Sequence, residues 1–84
     1  MPYSTRDTDL AAAIAVTLHT GPPDIRTGEL SHLCTFTFPT VDASDAERVA
    51  TEFYEGRLVL SVAAYARALR ELKRLLRGVK GVAR

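Results

Sequence analysis

The feature that most constrains this chain is a change in the spacing of its apolar residues, from helical to alternating and back to helical. Helical spacing near the start predicts a short extended segment followed by a helix over about 5–20. Gly21 and the prolines after it should end that helix, because glycine accepts a left-handed conformation and proline cannot continue the helix. The stretch LSHLCTFTF at 30–38 alternates, which predicts a strand. The chain must therefore combine helices with a sheet.

Side chains near these segments indicate where the first elements begin and pair. Ser4 or Thr5 is expected to cap the first helix, with acidic residues in its first turn, where the helix dipole favours carboxylates. A short strand around Ile25 is the expected partner of the alternating segment, with a turn at 27–29. Pro39 ends the second strand. The two strands should form a hairpin.

The second half of the chain predicts two more helices. Asp42 or Ser44 is expected to cap the first of them and Gly56 to end it. A brief extended stretch at 58–60 leads to the last helix, with Ser61 as its cap. One face of that helix carries Tyr65, Leu69, Leu72 and Leu76. The predicted fold is α+β: a short strand, a helix, a β-hairpin, then two helices packed on a small antiparallel sheet of two or three strands.

The length of the chain bounds its organisation. Eighty-four residues are expected to form one small domain over 1–78, because so short a chain cannot support two cores. Gly78 and Gly81 predict that residues 79–84 form a frayed basic tail. The single Cys34 favours a reducing, cytoplasmic setting, and the longest apolar run, at 10–16, is too short to span a bilayer. No membrane association is expected.

Charge is distributed very unevenly along the chain. The formal net charge is +1, but residues 67–84 carry seven bases against one acid, and the remainder carries four bases against nine acids. The C-terminal segment is therefore at +6 and the rest at −5. This asymmetry favours an anionic partner, or attraction between the two parts within or between chains.

The cations of the last helix fall on one side of it, beside the leucine face. On a helical wheel they occupy an arc of roughly 140°. We name this set the basic flank: Arg67, Arg70, Lys73, Arg74, Arg77 and Lys80. The basic flank predicts contact with nucleic-acid phosphates. The same composition is also typical of an ordinary solvated helix face, on which the aliphatic parts of lysine and arginine cover the leucines. No aromatic residue interleaves the flank, which disfavours stacking on single-stranded bases.

The apolar side of the same helix offers an alternative function. If the domain leaves this apolar side exposed, the side could bind a second copy of the chain or a larger protein. The exposed edge of the hairpin could do the same. The candidate residues are Leu69, Leu72, Leu75, Leu76 and Val79. Tyr65 is expected to belong to the core, with its hydroxyl reaching a partner at the rim. The alternative is thus a protein-interaction or self-associating module.

Catalytic and metal-binding patterns are weak in this sequence. His32 and Cys34 would share one strand face, but a closed zinc site needs four ligands and a catalytic dyad needs an orienting group. The acidic pairs Asp7/Asp9 and Asp42/Asp45 lie where helix starts recruit carboxylates, and the chain has no glycine-rich phosphate loop. Little room is expected for a ligand pocket of about 300 Å³ or more. We therefore expect a non-enzymatic protein without a metal or cofactor.

Several segments, taken in order, resemble a family of small uncharacterised bacterial proteins known only as a domain of unknown function. These are YSTRDTDLAAAIA, CTFTF, FYEGRL and YARALRELKRLL, which together cover most of residues 3–76. The stretch 19–30 departs from the family pattern, which expects a tighter turn there. The resemblance implies a compact α+β accessory domain, without catalytic residues, often encoded in phage, plasmid or other mobile-element neighbourhoods. It favours a role near DNA.

Overall fold

The computed structural model describes residues 3–27 and 34–82, apart from the side chains of 27 and 79–82. The predicted order of elements and the α+β class are confirmed. In chain order the elements are β1 (Tyr3–Thr5), α1 (Thr8–Leu18), β2 (Asp24–Thr27), β3 (Cys34–Phe38), α2 (Ala43–Tyr54) and α3 (Val62–Val82). No helix in the described ranges combines the length and the apolar composition needed to cross a bilayer.

The sheet has three antiparallel strands in the order β1-β3-β2. Ile25 pairs with Phe36 and Thr27 pairs with Cys34, which confirms the hairpin. Thr27 continues the strand instead of opening the turn, and residues 28–33, which hold the rest of the predicted turn and the start of the predicted strand, lie outside the described ranges. On the other side of β3, Ser4 and Thr37 are register partners whose hydroxyl oxygens lie 3.0 Å apart. The strand richest in phenylalanine and threonine is therefore the central one.

Helix α1 is shorter at both ends than the sequence predicted. Neither Ser4 nor Thr5 caps it, because both belong to β1; Asp7 is the N-cap instead. The Asp7 carboxylate accepts hydrogen bonds from the backbone N–H groups of residues 9 and 10, at 3.0 and 3.2 Å. At the other end His19 adopts the left-handed conformation, with φ 51°, two residues before Gly21.

The middle of the first helix is buried on all sides, whereas helical spacing alone predicts a single apolar stripe. Its residues at 10–14 are each no more than 1% exposed, and the helix contacts α2, α3 and β1. A helix that is apolar all round belongs in the interior. Alanine at 11–13 lets the neighbouring elements approach closely. Helix α1 is thus the centre of the fold rather than a cover for the sheet.

The remaining elements supply the rest of the core around α1. Phe36 and Phe38 lie on one face of β3, as the alternation predicted, and are 1% and 2% exposed. The buried cluster comprises Leu10, Ala11, Ala12, Ile14, Phe36, Phe38, Val41, Ala46, Val49 and Leu72. At 25 cal/mol per Å² of apolar area, each large side chain of this kind contributes about 1.5–3 kcal/mol of burial free energy.

Helix α2 begins and ends, and helix α3 begins, at residues that the sequence predicted. Asp42 caps α2, accepting from the backbone N–H of Ser44 at 2.9 Å, and this bond lowers the pKa of Asp42. Gly56 has φ 74° just after the helix, and Ser61 accepts from the N–H of Ala64 at 3.2 Å. Residues 58–60 join no strand. Helix α3 continues through Gly78 and ends at Val82. Residues 79–82 of the predicted frayed tail therefore form its last turn.

Candidate nucleic-acid interface

The rotation of α3 about its axis is set by its apolar face. Leu72 is 2% exposed within the core, and Tyr65, Leu69 and Leu76 pack against the same cluster. These four residues recur at helical spacing, so burying them fixes which side of the helix faces outward. As predicted, Tyr65 packs against the core, where it is half-buried, and its hydroxyl donates to the carbonyl oxygen of Asp9 at 3.4 Å. Burial raises the pKa of Tyr65.

The basic flank lies on the outward side of this helix. All five of its described side chains are exposed: Arg67, Arg70, Lys73, Arg74 and Arg77. The side chain of Lys80 lies outside the described ones. Between Arg67 and Arg77 the helix rises about 15 Å, at 1.5 Å per residue. The structure therefore presents a row of cations along one helix, whose opposite face packs against the core.

Most of these cations are not neutralised by the protein itself. Glu71 forms an ion pair with Arg74, and the hydrogen bond from this guanidinium lowers the pKa of Glu71. The other ion pairs in the described ranges join Arg48 to Asp45 and Arg57 to Glu55. Each of these pairs is local in sequence, so none of them connects the basic flank to the acidic N-terminal part. Four described cations of the flank carry unpaired charge in this part of the chain.

Three of the five residues proposed as an alternative interface contact the core of the domain. Leu72 is buried, while Leu69 and Leu76 pack against the core and are only partly accessible. Leu75 is half-buried and lies outside the core cluster. The side chain of Val79 lies outside the described ones. The inner face of α3 is therefore committed to the fold of its own domain.

Among the side chains that the structure describes, the most exposed large apolar ones lie elsewhere, at the connection between α2 and α3. Val59 is 92% exposed and Val62 is 81% exposed, with Tyr54 at 64% beside the end of α2. A cleft of about 270 Å³ lies at the same connection and is lined by Phe53, Gly56, Leu58, Leu60 and Tyr65, not by these three side chains. Sequence reasoning missed these exposed side chains, because Val59 lies in the predicted extended stretch 58–60 and Val62 follows the predicted cap of the last helix. One signal could have predicted their exposure: the sequence offered no partner strand for the extended stretch 58–60.

A larger cleft separates the end of α1 from α3. It has a volume of about 360 Å³, and its walls include Ala15 and Pro22 on one side and Ala64 and Ala68 on the other. Arg67 of the basic flank also lines it. The expectation that this chain leaves little room for a pocket of such size is wrong. The reason is that small side chains face one another across the two helices.

A hydrogen bond between distant residues joins α1 to α2. The Tyr54 hydroxyl donates to the Asp7 carboxylate at 2.7 Å, on the residue that also caps α1. This hydrogen bond raises the pKa of Tyr54 to about 12, because ionising the phenol would place two anions in contact. Its role is structural: it holds the end of one helix against the start of another.

The described residues contain no cluster of three or more metal-ligating side chains. Cys34 is half-buried at the start of β3, and its predicted neighbour His32 lies outside the described ranges. Comparison with protein-family models, with curated proteins and with solved structures finds no match to this chain. The family resemblance drawn from the sequence stays a prediction.

Proposed function

We propose that this protein is a non-enzymatic accessory domain that binds the nucleic-acid backbone, without sequence specificity, through the basic flank. The observation that carries the proposal is the exposure of Arg67, Arg70, Lys73 and Arg77, which have no ion-pair partner in the described part of the chain. Clustered cations bind nucleic acid by releasing the counterions condensed on its phosphates. The resemblance to proteins of mobile elements favours the same function.

The shape of the flank favours contact with phosphates over recognition of bases. Cations three or four residues apart on a helix lie about 5–6 Å from one another, which suits a repeating row of charges. Base recognition on single strands relies on aromatic platforms, and the one aromatic residue of α3, Tyr65, packs against the core. We therefore expect duplex and single-stranded DNA of any sequence to bind.

Reversing two unpaired charges tests this proposal. The double variant Arg70→Glu with Arg77→Glu should weaken DNA binding at least about tenfold at low salt and flatten its salt dependence, because two phosphate contacts become repulsive. The matched control is Arg48→Glu with Arg57→Glu, which makes the same change in net charge on two exposed residues away from α3. Fluorescence anisotropy with labelled DNA measures both. Equal losses in the two variants would indicate a net-charge effect and contradict the assignment to the flank.

Self-association is a second candidate, supported by the exposed valines. Val59 and Val62 are both strongly exposed at the connection between α2 and α3, and exposed apolar side chains on one surface favour a protein partner. Sedimentation velocity over a wide concentration range measures the oligomeric state, with Val59→Ser combined with Val62→Ser as the variant. A dimer that the variant abolishes would support this function. A strict monomer at every concentration would exclude a second copy as the partner.

A further inference from the structure

The cleft between α1 and α3 exists because small residues face it from both walls. Ala15 and Gly21 lie on one wall, and Ala64 and Ala68 lie on the other. Its volume of about 360 Å³ falls within the range of small-molecule sites, roughly 300–1,000 Å³. Nothing lies within 4 Å of the position that a side chain on Gly21 would occupy. The space is open at the surface and large enough for a small organic ligand.

The lining of this cleft combines an apolar interior with a single unpaired cation. Val16, Pro22 and Leu72 complete the apolar surface. Two charged side chains line the cleft, and one of them, Glu71, is already held by Arg74. The other, Arg67, is exposed and forms no ion pair within the described ranges. The cleft is thus complementary to a molecule with an apolar body and one negative group.

We propose that this cleft binds an unbranched hydrocarbon chain that ends in a carboxylate, with the chain between α1 and α3 and the carboxylate on Arg67. A guanidinium binds a carboxylate in a two-pronged geometry, which suits this end of the ligand. An inserted nucleobase fits poorly, because its polar edges would be buried against apolar side chains without hydrogen-bond partners. The cleft shares Arg67 with the basic flank, but its apolar lining is not part of the flank, and the proposal does not depend on DNA binding.

Titration calorimetry with hexanoate, octanoate and decanoate tests the proposal on the full chain. Affinity should rise up to about fourfold for each added methylene until the cleft is filled. Decanol, which has the same chain without the charge, should bind about tenfold more weakly than decanoate. No heat of binding with decanoate, or equal affinity for decanol, would overturn the proposal.

Three variants locate the site. Ala68→Leu fills the cleft and should abolish decanoate binding; because Ala68 also packs against the core, Ala64→Leu, outside the core cluster, repeats the test. Arg67→Gln should lower the affinity to that of decanol. Arg77→Gln removes the same charge from the flank away from the cleft and should leave decanoate binding unchanged. Unaltered binding in both filled variants, or equal losses with the two glutamine variants, would contradict the site.

Discussion

The carboxylate of Asp7 stabilises two connections of the fold, and replacing it with alanine should weaken both. It caps α1 by accepting from the N–H groups of residues 9 and 10, and it accepts the hydroxyl of Tyr54 from the end of α2 at 2.7 Å. Helix α1 is the centre of the core, so a loss at its start affects the whole domain. Asp7→Ala is therefore expected to be one of the most destabilising changes of a partly exposed residue.

The magnitude follows from the two contacts. Losing an aspartate cap costs about 1 kcal/mol of unfolding free energy. A hydrogen bond to a charged group is stronger than average, but solvent screens this exposed pair, so about 1 kcal/mol is a reasonable value. The sum for Asp7→Ala is about 2 kcal/mol, or roughly 10 °C in Tm for a domain of this size. Tyr54→Phe should cost only the second part, about 1 kcal/mol.

Urea denaturation of the wild type, the two single variants and the double variant measures these values as a cycle. The double variant should cost about 2 kcal/mol, no more than Asp7→Ala alone, because the same hydrogen bond is lost in both single variants. Asp7→Asn keeps an acceptor oxygen and should retain most of the cap. Strictly additive losses, or a cost of Asp7→Ala below about 0.5 kcal/mol, would refute the proposed double role of this carboxylate.

Two further predictions follow from the pKa of Tyr54 and from the placement of the leucines. The pKa of Tyr54 is raised from 10.0 to about 12 in the folded protein, so its contribution to stability is fully present below pH 10 and is lost as pH rises from about 10 to 12. Urea midpoints measured from pH 8 upward should therefore fall more for the wild type than for Tyr54→Phe, and parallel curves would contradict the hydrogen bond. Leu72→Ala should cost about 2–5 kcal/mol and Leu75→Ala about 1 kcal/mol or less, because only Leu72 lies in the core. Equal losses in thermal denaturation would contradict this placement.

Local spacing in the sequence predicted those parts of the fold where one face of an element is buried. The alternation around Phe36 put both phenylalanines on one face of the strand, which is the buried face, and the helical spacing of the leucines put Leu72 opposite the basic flank. In each case the large apolar side chains lie on one face of the element, so the period of the pattern indicates which face is buried. The same argument identified the candidate interface.

Other features depend on how distant segments meet, which local spacing does not encode. The central position of α1 was missed because alanine is compatible with either a buried or an exposed face. The pairing of β1 with β3 joins residues more than 30 positions apart, such as Ser4 and Thr37. The cleft at Ala64 and the bond between Asp7 and Tyr54 also arise from the relative placement of helices. No single segment of sequence contains that information.

The salt dependence of DNA binding tests the proposed function most directly. If the four unpaired cations of the flank each neutralise one phosphate, the logarithm of the association constant should fall against the logarithm of salt concentration with a slope of about −3.6 for duplex DNA and about −2.8 for single strands. Fluorescence anisotropy at several salt concentrations measures both slopes. Slopes near these values support binding through the flank. No binding at low salt, or an affinity independent of salt, would contradict it.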